Sequence, residues 1–401
     1  MSDSPGLQDA PQVGAAPDAS VRAAGRVAVS ALTLTDFRSY ASLRLETDTR
    51  SVVLVGPNGA GKTNILEALS LLGPGRGLRR AKFAELPRQG GAGGWGVSAT
   101  LSGNAGETQA GVGVPDPSNE RRITRIDGAT ARGPGALGEY VRPLWLTPAM
   151  DRLFTDGASE RRRFLDRMAL AHDPAHGTAA SSYEKAMRER QRLLNDGVRD
   201  DRWLAALEAQ MAEAGVAVAA ARAEMTARLF AAQEAAIGAE EGPFPAADIA
   251  LEGRLEEALA EDAAADVEDA FAARLADMRR RDAEAGRALD GPHRSDLLVR
   301  HRAKDQEARL CSTGEQKALL VGLVLANAQA LAAAPGGAPL LLLLDEIGAH
   351  LDDMRRAALF DRLEALGLQA WMTGTDENLF EAWGVRAQRF EIKDGAARAL
   401  A

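Results

Sequence analysis

The sequence predicts an α/β fold: a parallel-sheet head interrupted by a compact, mainly helical second lobe. Three observations carry that prediction. The run Gly56-Pro57-Asn58-Gly59-Ala60-Gly61-Lys62-Thr63 has the form G-x-x-x-x-G-K-[ST], the P-loop, and stands between an apolar, β-branched segment and a helical one. A second apolar strand, Leu340–Leu344, ends in Asp345-Glu346 far along the chain. Between the two lies a long Ala-, Glu- and Arg-rich stretch with helical spacing.

Taken in order, residues 1–26 are small, polar and Pro-containing, which predicts a disordered tail without the apolar core of a secretory signal. Val27–Leu34 alternates as a strand should, and Leu43–Glu46 reads as its hairpin partner. Ser51–Val55 is the strand before the P-loop; Asn64–Leu72, stopped by Gly73-Pro74, is the helix after it. Residues 95–130 are Gly-rich with short alternating segments, and Arg121–Ile126 enters a tight turn at Asp127-Gly128. Leu144–Thr147 is a further strand, ended by Pro148. Residues 150–170, 179–195, 201–237 and 255–288 read as helices, with a break at Gly242-Pro243-Phe244-Pro245. After Gly291-Pro292 the α/β character returns, with helices at 312–333 and 351–366 and strands at 340–344 and 369–373. The expected organisation is a tail (1–26), a head in two pieces (27–149 and 290–401) and a helical lobe between them (150–289).

Composition excludes several classes. A net charge of −9 over 401 residues is not a bulk polycation, so any nucleic-acid contact must come from local patches. Lysine is scarce and arginine carries most of the positive charge, which suits bidentate phosphate contacts but is also what a GC-rich genome produces. The single cysteine, Cys311, excludes a disulfide framework and fits a reducing compartment. The longest apolar run, Leu340–Leu344, is too short to span a bilayer. The expectation is a soluble, cytoplasmic protein with no membrane partner.

The P-loop assigns the first site. Glycines let backbone N–H groups close round phosphate oxygens, and the following helix N-terminus adds partial positive charge. Gly56, Pro57, Asn58, Gly59, Ala60, Gly61, Lys62, Thr63 and Asn64 are the expected nucleotide-binding residues, with Lys62 reaching the β- and γ-phosphates of ATP and the Thr63 hydroxyl holding Mg²⁺. Leu340–Leu344 with Asp345-Glu346 is a Walker B pattern: an apolar strand beside the P-loop strand would deliver Asp345 to the Mg²⁺ shell and leave Glu346 as the catalytic group that polarises water.

Ahead of this strand, Cys311-Ser312-Thr313-Gly314-Glu315-Gln316-Lys317 resembles the ABC ATPase signature, with Ser312 and Gly314 on its key positions. The same run can also be a plain N-cap with a Ser312–Glu315 capping box, and both readings can hold together. The resemblance implies that Ser312 and Gly314 meet the γ-phosphate on a second copy's P-loop, hence an ATP-dependent homodimer, and that Ala349-His350-Leu351-Asp352 is a D-loop with Asp352 at the nucleotide. Two departures stand out. Cys311 replaces the usual apolar leader, and Trp371-Met372-Thr373-Gly374-Thr375 lacks the switch histidine of transporter ATPases, leaving Thr373 or Thr375 as weak phosphate sensors.

Three further motifs narrow the class. Asp36-Phe37-Arg38-Ser39-Tyr40, Ser159-Glu160-Arg161-Arg162-Arg163-Phe164-Leu165-Asp166 and Gly291-Pro292-His293-Arg294-Ser295-Asp296 resemble the Asn-Phe-Arg-Asn-Tyr, Ser-x-Arg-Arg-x-Phe-Leu-Asp and Gly-Pro-His-Arg-Asp-Asp elements of the RecF family, Ser295 departing from the last. The resemblance covers residues 27–395. It implies a P-loop ABC-type ATPase head related to SMC heads, a slow, DNA-stimulated ATPase, and binding to gapped duplex at single-strand/double-strand junctions. It also implies partnership with RecR and, through RecO and RecR, loading of RecA in DNA repair, with a nucleoid-associated location.

Two rivals remain open: an SMC-like protein that bridges DNA, and a transporter ATPase subunit. At ~1.5 Å per residue no predicted helix exceeds about 60 Å, which disfavours a long tether. The basic groups Arg76, Arg79, Arg80 and Lys82; Arg161–Arg163; Arg188, Arg190 and Arg192; and Arg279–Arg281 are each DNA candidates or solvated helix faces. Arg76 and Arg79, nearest the head, are the expected DNA contacts. His293-Arg294 reads as a brace at the lobe junction. His172 and His176 are separated by Asp173-Pro174, which breaks the helix a metal pair would need.

Overall fold

The computed structural model describes residues 26–400 apart from 104–105, 117, 119–120, 132, 199, 237–241 and 335–336; the tail expected at 1–26 lies outside the described residues but for Arg26. The chain opens with an antiparallel hairpin, β1 (Val27–Phe37) and β2 (Tyr40–Glu46), followed by β3 (Ser51–Val55) and α1 (Lys62–Ser70). Next come β4 (Trp95–Gly103), β5 (Gly106–Val114), β6 (Ile123–Ile126), β7 (Ala129–Thr130) and β8 (Arg142–Leu146). The helical stretch holds α2 (Ala158–His172), α3 (Ala175–Asn195), α4 (Asp201–Ala236), β9 (Ala247–Glu252), α5 (Arg254–Glu261) and α6 (Ala264–Ala285). The chain closes with β10 (Asp296–His301), β11 (Gln306–Glu307), α7 (Thr313–Ala332), β12 (Leu340–Leu344), α8 (Asp353–Leu366), β13 (Gln369–Gly374), β14 (Ala387–Lys393) and β15 (Ala396–Ala399).

Two six-stranded sheets enclose α1. One is antiparallel, in the order β2-β1-β4-β5-β6-β7; the other runs β15-β14-β3-β13-β12-β8, parallel but for its β15 edge. Side chains alternate across a strand, so the parallel sheet feeds two cores. Val52 and Leu54 of β3, with Leu341 and Leu343 of β12, pack with Ile65, Leu66 and Leu69 of α1 and with Leu32 and Leu34 of β1. Val53, Val55, Leu340, Leu342 and Leu344 face the other way, against α7 and α8. Burial on both faces is why these strands read as unbroken apolar runs.

The helical stretch has its own core, built from Tyr183, Met211, Val216, Phe271 and Leu275. α4 spans both regions, since its Met225 and Leu229 belong to the head's core. Among the described helices α4 alone has the length and apolar composition to cross a membrane, which the sequence reading did not foresee. Many of its apolar side chains are instead committed to these cores, and buried Glu208 and Arg222 lie along it.

Several elements depart from expectation. β9 pairs with β10 in a three-stranded sheet β11-β10-β9, where only the end of a helical break was anticipated. The helix expected over 255–288 is two, because Asp262 and Ala263 are extended. The helix expected from 150 begins at Ala158, after a 3₁₀ turn at Pro148–Arg152.

Candidate nucleotide site and its flanks

At the end of β3 the backbone makes turns that only glycine accepts. Gly56 has φ 149°, and a Cβ there would stand 2.3 Å from the Ile392 carbonyl oxygen of β14. Gly61, at φ 107°, ends the loop, and a Cβ there would stand 2.5 Å from the Tyr40 hydroxyl. Lys62 begins α1 and is buried; its Nζ donates to the carbonyls of Gly56 at 2.6 Å and Pro57 at 2.9 Å. Burial pulls its ammonium below the ordinary lysine value, while the charges of Glu346 and Asp345 push it back up. Those two carboxylates are therefore within electrostatic reach of the P-loop lysine.

The Walker B strand is not the immediate neighbour of the P-loop strand. β13 lies between β3 and β12, which corrects the arrangement read from sequence. The intervening strand supplies a residue of its own. Thr63 Oγ1 donates to Asp345 Oδ1 at 2.9 Å, and Thr373 Oγ1, from β13, donates to the same oxygen at 2.8 Å. The Thr373 hydroxyl also accepts the Glu346 N–H at 2.8 Å. Glu346 takes a left-handed φ of 51°, a conformation that costs a non-glycine residue ~1–3 kcal/mol and persists only where neighbours hold it. Thr373 is fully buried and engaged with both Walker B residues, whereas Thr375 is exposed beyond the strand end. The sequence signal for this role was present: a hydroxyl near the end of a buried strand needs a polar partner.

The signature segment is placed differently. Ser312 caps α7: its hydroxyl and N–H both meet the Glu315 carboxylate, at 2.9 and 3.0 Å, and it also accepts the Glu315 N–H. Lys304 pairs with Glu315 and, with the Ser312 bonds, holds that carboxyl down to about 2. Lys317, one turn on, is buried against Asp151 at 2.5 Å, and Gly314 lies near Arg355. Asp352 caps α8, accepting the Arg355 N–H at 2.8 Å. Ser312 and Asp352 are exposed, and among the described residues no hydrogen bond or ion pair joins either to residues 56–64 of the same chain. One chain thus assembles Thr63, Lys62, Asp345, Glu346 and Thr373, and leaves Ser312, Gly314 and Asp352 outside that cluster.

The other motifs act as braces. Arg38 pairs bidentately with Glu67 at 2.7 and 2.8 Å, Ser39 accepts from Asn64 at 2.9 Å, and Tyr40 buries its hydroxyl under Gly61. Glu67 is fully buried in α1, and it also binds Arg79 at 3.0 Å; Arg79 donates to Asn64 as well, at 2.7 Å. Arg79, with a side chain 41% exposed, thus helps neutralise a carboxylate that would be costly to bury without cations. Arg76 is exposed and makes no ion pair among the described residues. Arg161 pairs with Asp296, Arg162 donates to the Ser295 carbonyl at 2.6 Å, and Asp166 holds Arg222, which reaches the Pro292 carbonyl. Two motifs far apart in sequence thus grip each other. His293 sits between the Tyr183 hydroxyl at 2.7 Å and the Ala288 carbonyl at 3.0 Å. Arg190 and Arg279 are spent on Glu208, Asp282 and Asp201 rather than on the surface. His172 and His176 bond to Asn327 and Asp166 and share no ligand site.

A P-loop and a Walker B pair joined across a parallel sheet, with a capped signature helix and an inserted helical lobe, define an ATP-binding head of the ABC and SMC type. The chain matches the RecF/RecN/SMC N-terminal domain family over residues 28–392 and belongs to the RecF family of DNA replication and repair proteins. It is 56% identical over 369 residues to the DNA replication and repair protein RecF of Mesorhizobium japonicum, covering 92% of this chain and 96% of that one. It is 54% identical over 371 residues to the protein of the same description in Brucella suis biovar 1, covering 92% and 96%. Among solved structures it resembles the recombination mediator protein RecF-ATPrS of the RecFOR pathway, with TM-score 0.80 at 22% identity over 95% of this chain and 100% of that one. A Smc head domain with an extended coiled coil from Pyrococcus furiosus, bound to the C-terminal domain of ScpA, gives TM-score 0.51 at 18% identity over 93% and 96%. These structural likenesses bear on the fold.

Proposed function

We propose that this chain is an ATP-dependent DNA-binding clamp of recombinational repair, closed by ATP-driven dimerisation and reopened by slow hydrolysis. The observation that carries this reading is the convergence of the Thr63 and Thr373 hydroxyls on Asp345 Oδ1, which ties the P-loop to the Walker B strand in one chain while Ser312 stays outside. The donor set fits Mg²⁺ with a nucleotide: a hydroxyl and a carboxylate give hard oxygen ligands, and a glycine loop ahead of a helix N-terminus gives N–H donors for phosphate. ATP with Mg²⁺ would supply the phosphoryl group that is cleaved. Lys62 would exchange its carbonyl partners for phosphate oxygens, Thr63 and Asp345 would hold the metal, and Glu346 would accept the proton of the attacking water. Ser312 and Gly314 of a second copy would cover the phosphates, with Asp352 beside them.

We further read residues 150–289 as a second lobe inserted in the head. The duplex bound would be gapped or junction DNA, the protein partners RecR and, through it, RecO and RecA, and the location the nucleoid. The relatives' shared description as DNA replication and repair proteins supports this direction. The test is gel filtration with light scattering, with and without ATP and gapped DNA. A dimer that forms only with ATP and fails to form in Lys62→Ala is expected; ATP-independent mass, or a Lys62→Ala dimer like the wild type, would overturn the reading.

A further inference from the structure

The loop after α1, residues 73–82, carries cations of two kinds. Arg79 is turned onto Glu67 and Asn64. Arg76 and Arg80 are exposed, and neither makes an ion pair among the described residues. The loop that presents them is held firmly. Arg122 donates to the carbonyls of Leu71, Gly73 and Gly75 at 3.0, 3.2 and 3.2 Å and lies over the Phe83 ring. Ser70 Oγ accepts the Leu78 N–H at 2.8 Å, and Gly73 rests against Pro143 of β8. Arg80 itself stands at a left-handed φ of 58°.

Beside this loop, α2 brings up Arg167. Its guanidinium covers the Trp145 ring at 4.9 Å and the Phe164 ring at 5.6 Å. Among the described residues its one polar partner is Met150 Sδ at 3.5 Å, and its Nε is buried without a partner. Burial, together with the charge of Arg80, pulls its pKa down to about 10. Elsewhere in this acidic chain arginines are paired repeatedly: with Glu67, Asp296, Asp166, Glu208 and Asp290. Arg76, Arg80 and Arg167 make no ion pair among the described residues, so their charge is left to attract an anion from outside.

We propose that the loop 73–82 and the adjoining face of α2 form a seat for the phosphate backbone of DNA, with Arg76 and Arg80 as the contacts and Arg167 reinforcing the field. This rests on the DNA-binding reading above. Guanidinium groups suit it, since each presents a planar fork to a phosphate, and backbone contacts of this kind carry no sequence preference. The bonds of Arg79 to Glu67 and Asn64 fasten the seat to the helix that follows the P-loop.

The test is fluorescence anisotropy of labelled gapped duplex over a salt series, with the full chain and ATP. Wild type, Arg76→Gln/Arg80→Gln and Arg76→Lys/Arg80→Lys are compared, each with a thermal melt. The double glutamine variant should melt like wild type, and its plot of log affinity against log salt should be shallower by about 1.8, at ~0.9 per lost duplex phosphate contact. The lysine pair should keep the wild-type slope. A double glutamine variant with the wild-type slope overturns the seat while leaving DNA binding standing. A wild-type chain that does not hold the duplex at low salt overturns the seat and the DNA-binding reading together.

Discussion

Thr373→Val removes one hydroxyl from the centre of the site and replaces it with a methyl of similar volume. The residue is fully buried, so the change creates no cavity and leaves two bonds unmade: Oγ1 to Asp345 Oδ1, and Glu346 N–H to Oγ1, both 2.8 Å. A bond to a carboxylate contributes ~1.5–3 kcal/mol and a neutral one ~0.5–1.5. Asp345 keeps the Thr63 hydroxyl at 2.9 Å, whereas the Glu346 N–H loses the partner that helps hold a left-handed φ of 51°. The expected loss is therefore about 2–4 kcal/mol in folding stability. The kinetic loss follows from the freed Glu346 backbone, since a misplacement of ~1 Å can cost ~10² in rate. Phosphate release at saturating ATP should fall ~10–100-fold with KM for ATP little changed, because Lys62 and the glycine loop are untouched. Thr373→Ser, which keeps the hydroxyl, should recover most of the rate. Turnover within about twofold of wild type in Thr373→Val, or a serine variant as slow as the valine one, would refute a positioning role for this hydroxyl.

Three other outcomes are expected. Glu346→Gln preserves shape but removes the base, and turnover measured by phosphate release should fall ~10²–10⁴-fold while the ATP-bound dimer persists on DNA. Gly61→Ala would drive a Cβ to 2.5 Å from the Tyr40 hydroxyl at φ 107°, so calorimetric ATP binding should be lost; wild-type affinity would show that the loop tolerates a different path. His293 donates from Nε2 to the Ala288 carbonyl and meets the Tyr183 hydroxyl through Nδ1, and burial is the first cause of its lowered pKa. The unfolded chain then binds more protons below about pH 6.5, so melting temperature should fall as pH drops through that range, and His293→Gln should flatten the fall.

Much of the site was legible because its chemistry is local. The P-loop, the Walker B carboxylates and the Ser312–Glu315 cap each occupy one short run, and each run forms the element its spacing predicts. What stayed hidden depends on partners distant in sequence. β9 has a single fully buried residue, Ala247, and exists as a strand because β10 pairs with it. Arg79 could not be told from Arg76 and Arg80 without knowing where Glu67 points. The warning was a carboxylate inside the apolar run Ile65-Leu66-Glu67-Ala68-Leu69, which has to find cations if buried. Thr373 was read, alongside Thr375, as a weak phosphate sensor; its bonds to the Walker B residues stayed hidden because strand order cannot be taken from sequence. Only with β13 between β3 and β12 does its hydroxyl reach both Walker B residues.

The most direct test of the composite-site dimer is light scattering of Ser312→Arg, Lys62→Ala and their equimolar mixture with ATP. A cation at Ser312 should block the approach of a second nucleotide face and leave ATP binding by the monomer intact, since nothing links Ser312 to its own P-loop among the described residues. Each variant alone should stay monomeric. In a mixed pair both defects fall in one composite site and the other is whole, so the mixture should recover part of the dimer and of the ATP hydrolysis. A mixture no better than either variant, or a Ser312→Arg monomer that no longer binds ATP, would contradict a nucleotide shared between Lys62 of one chain and Ser312 of the other.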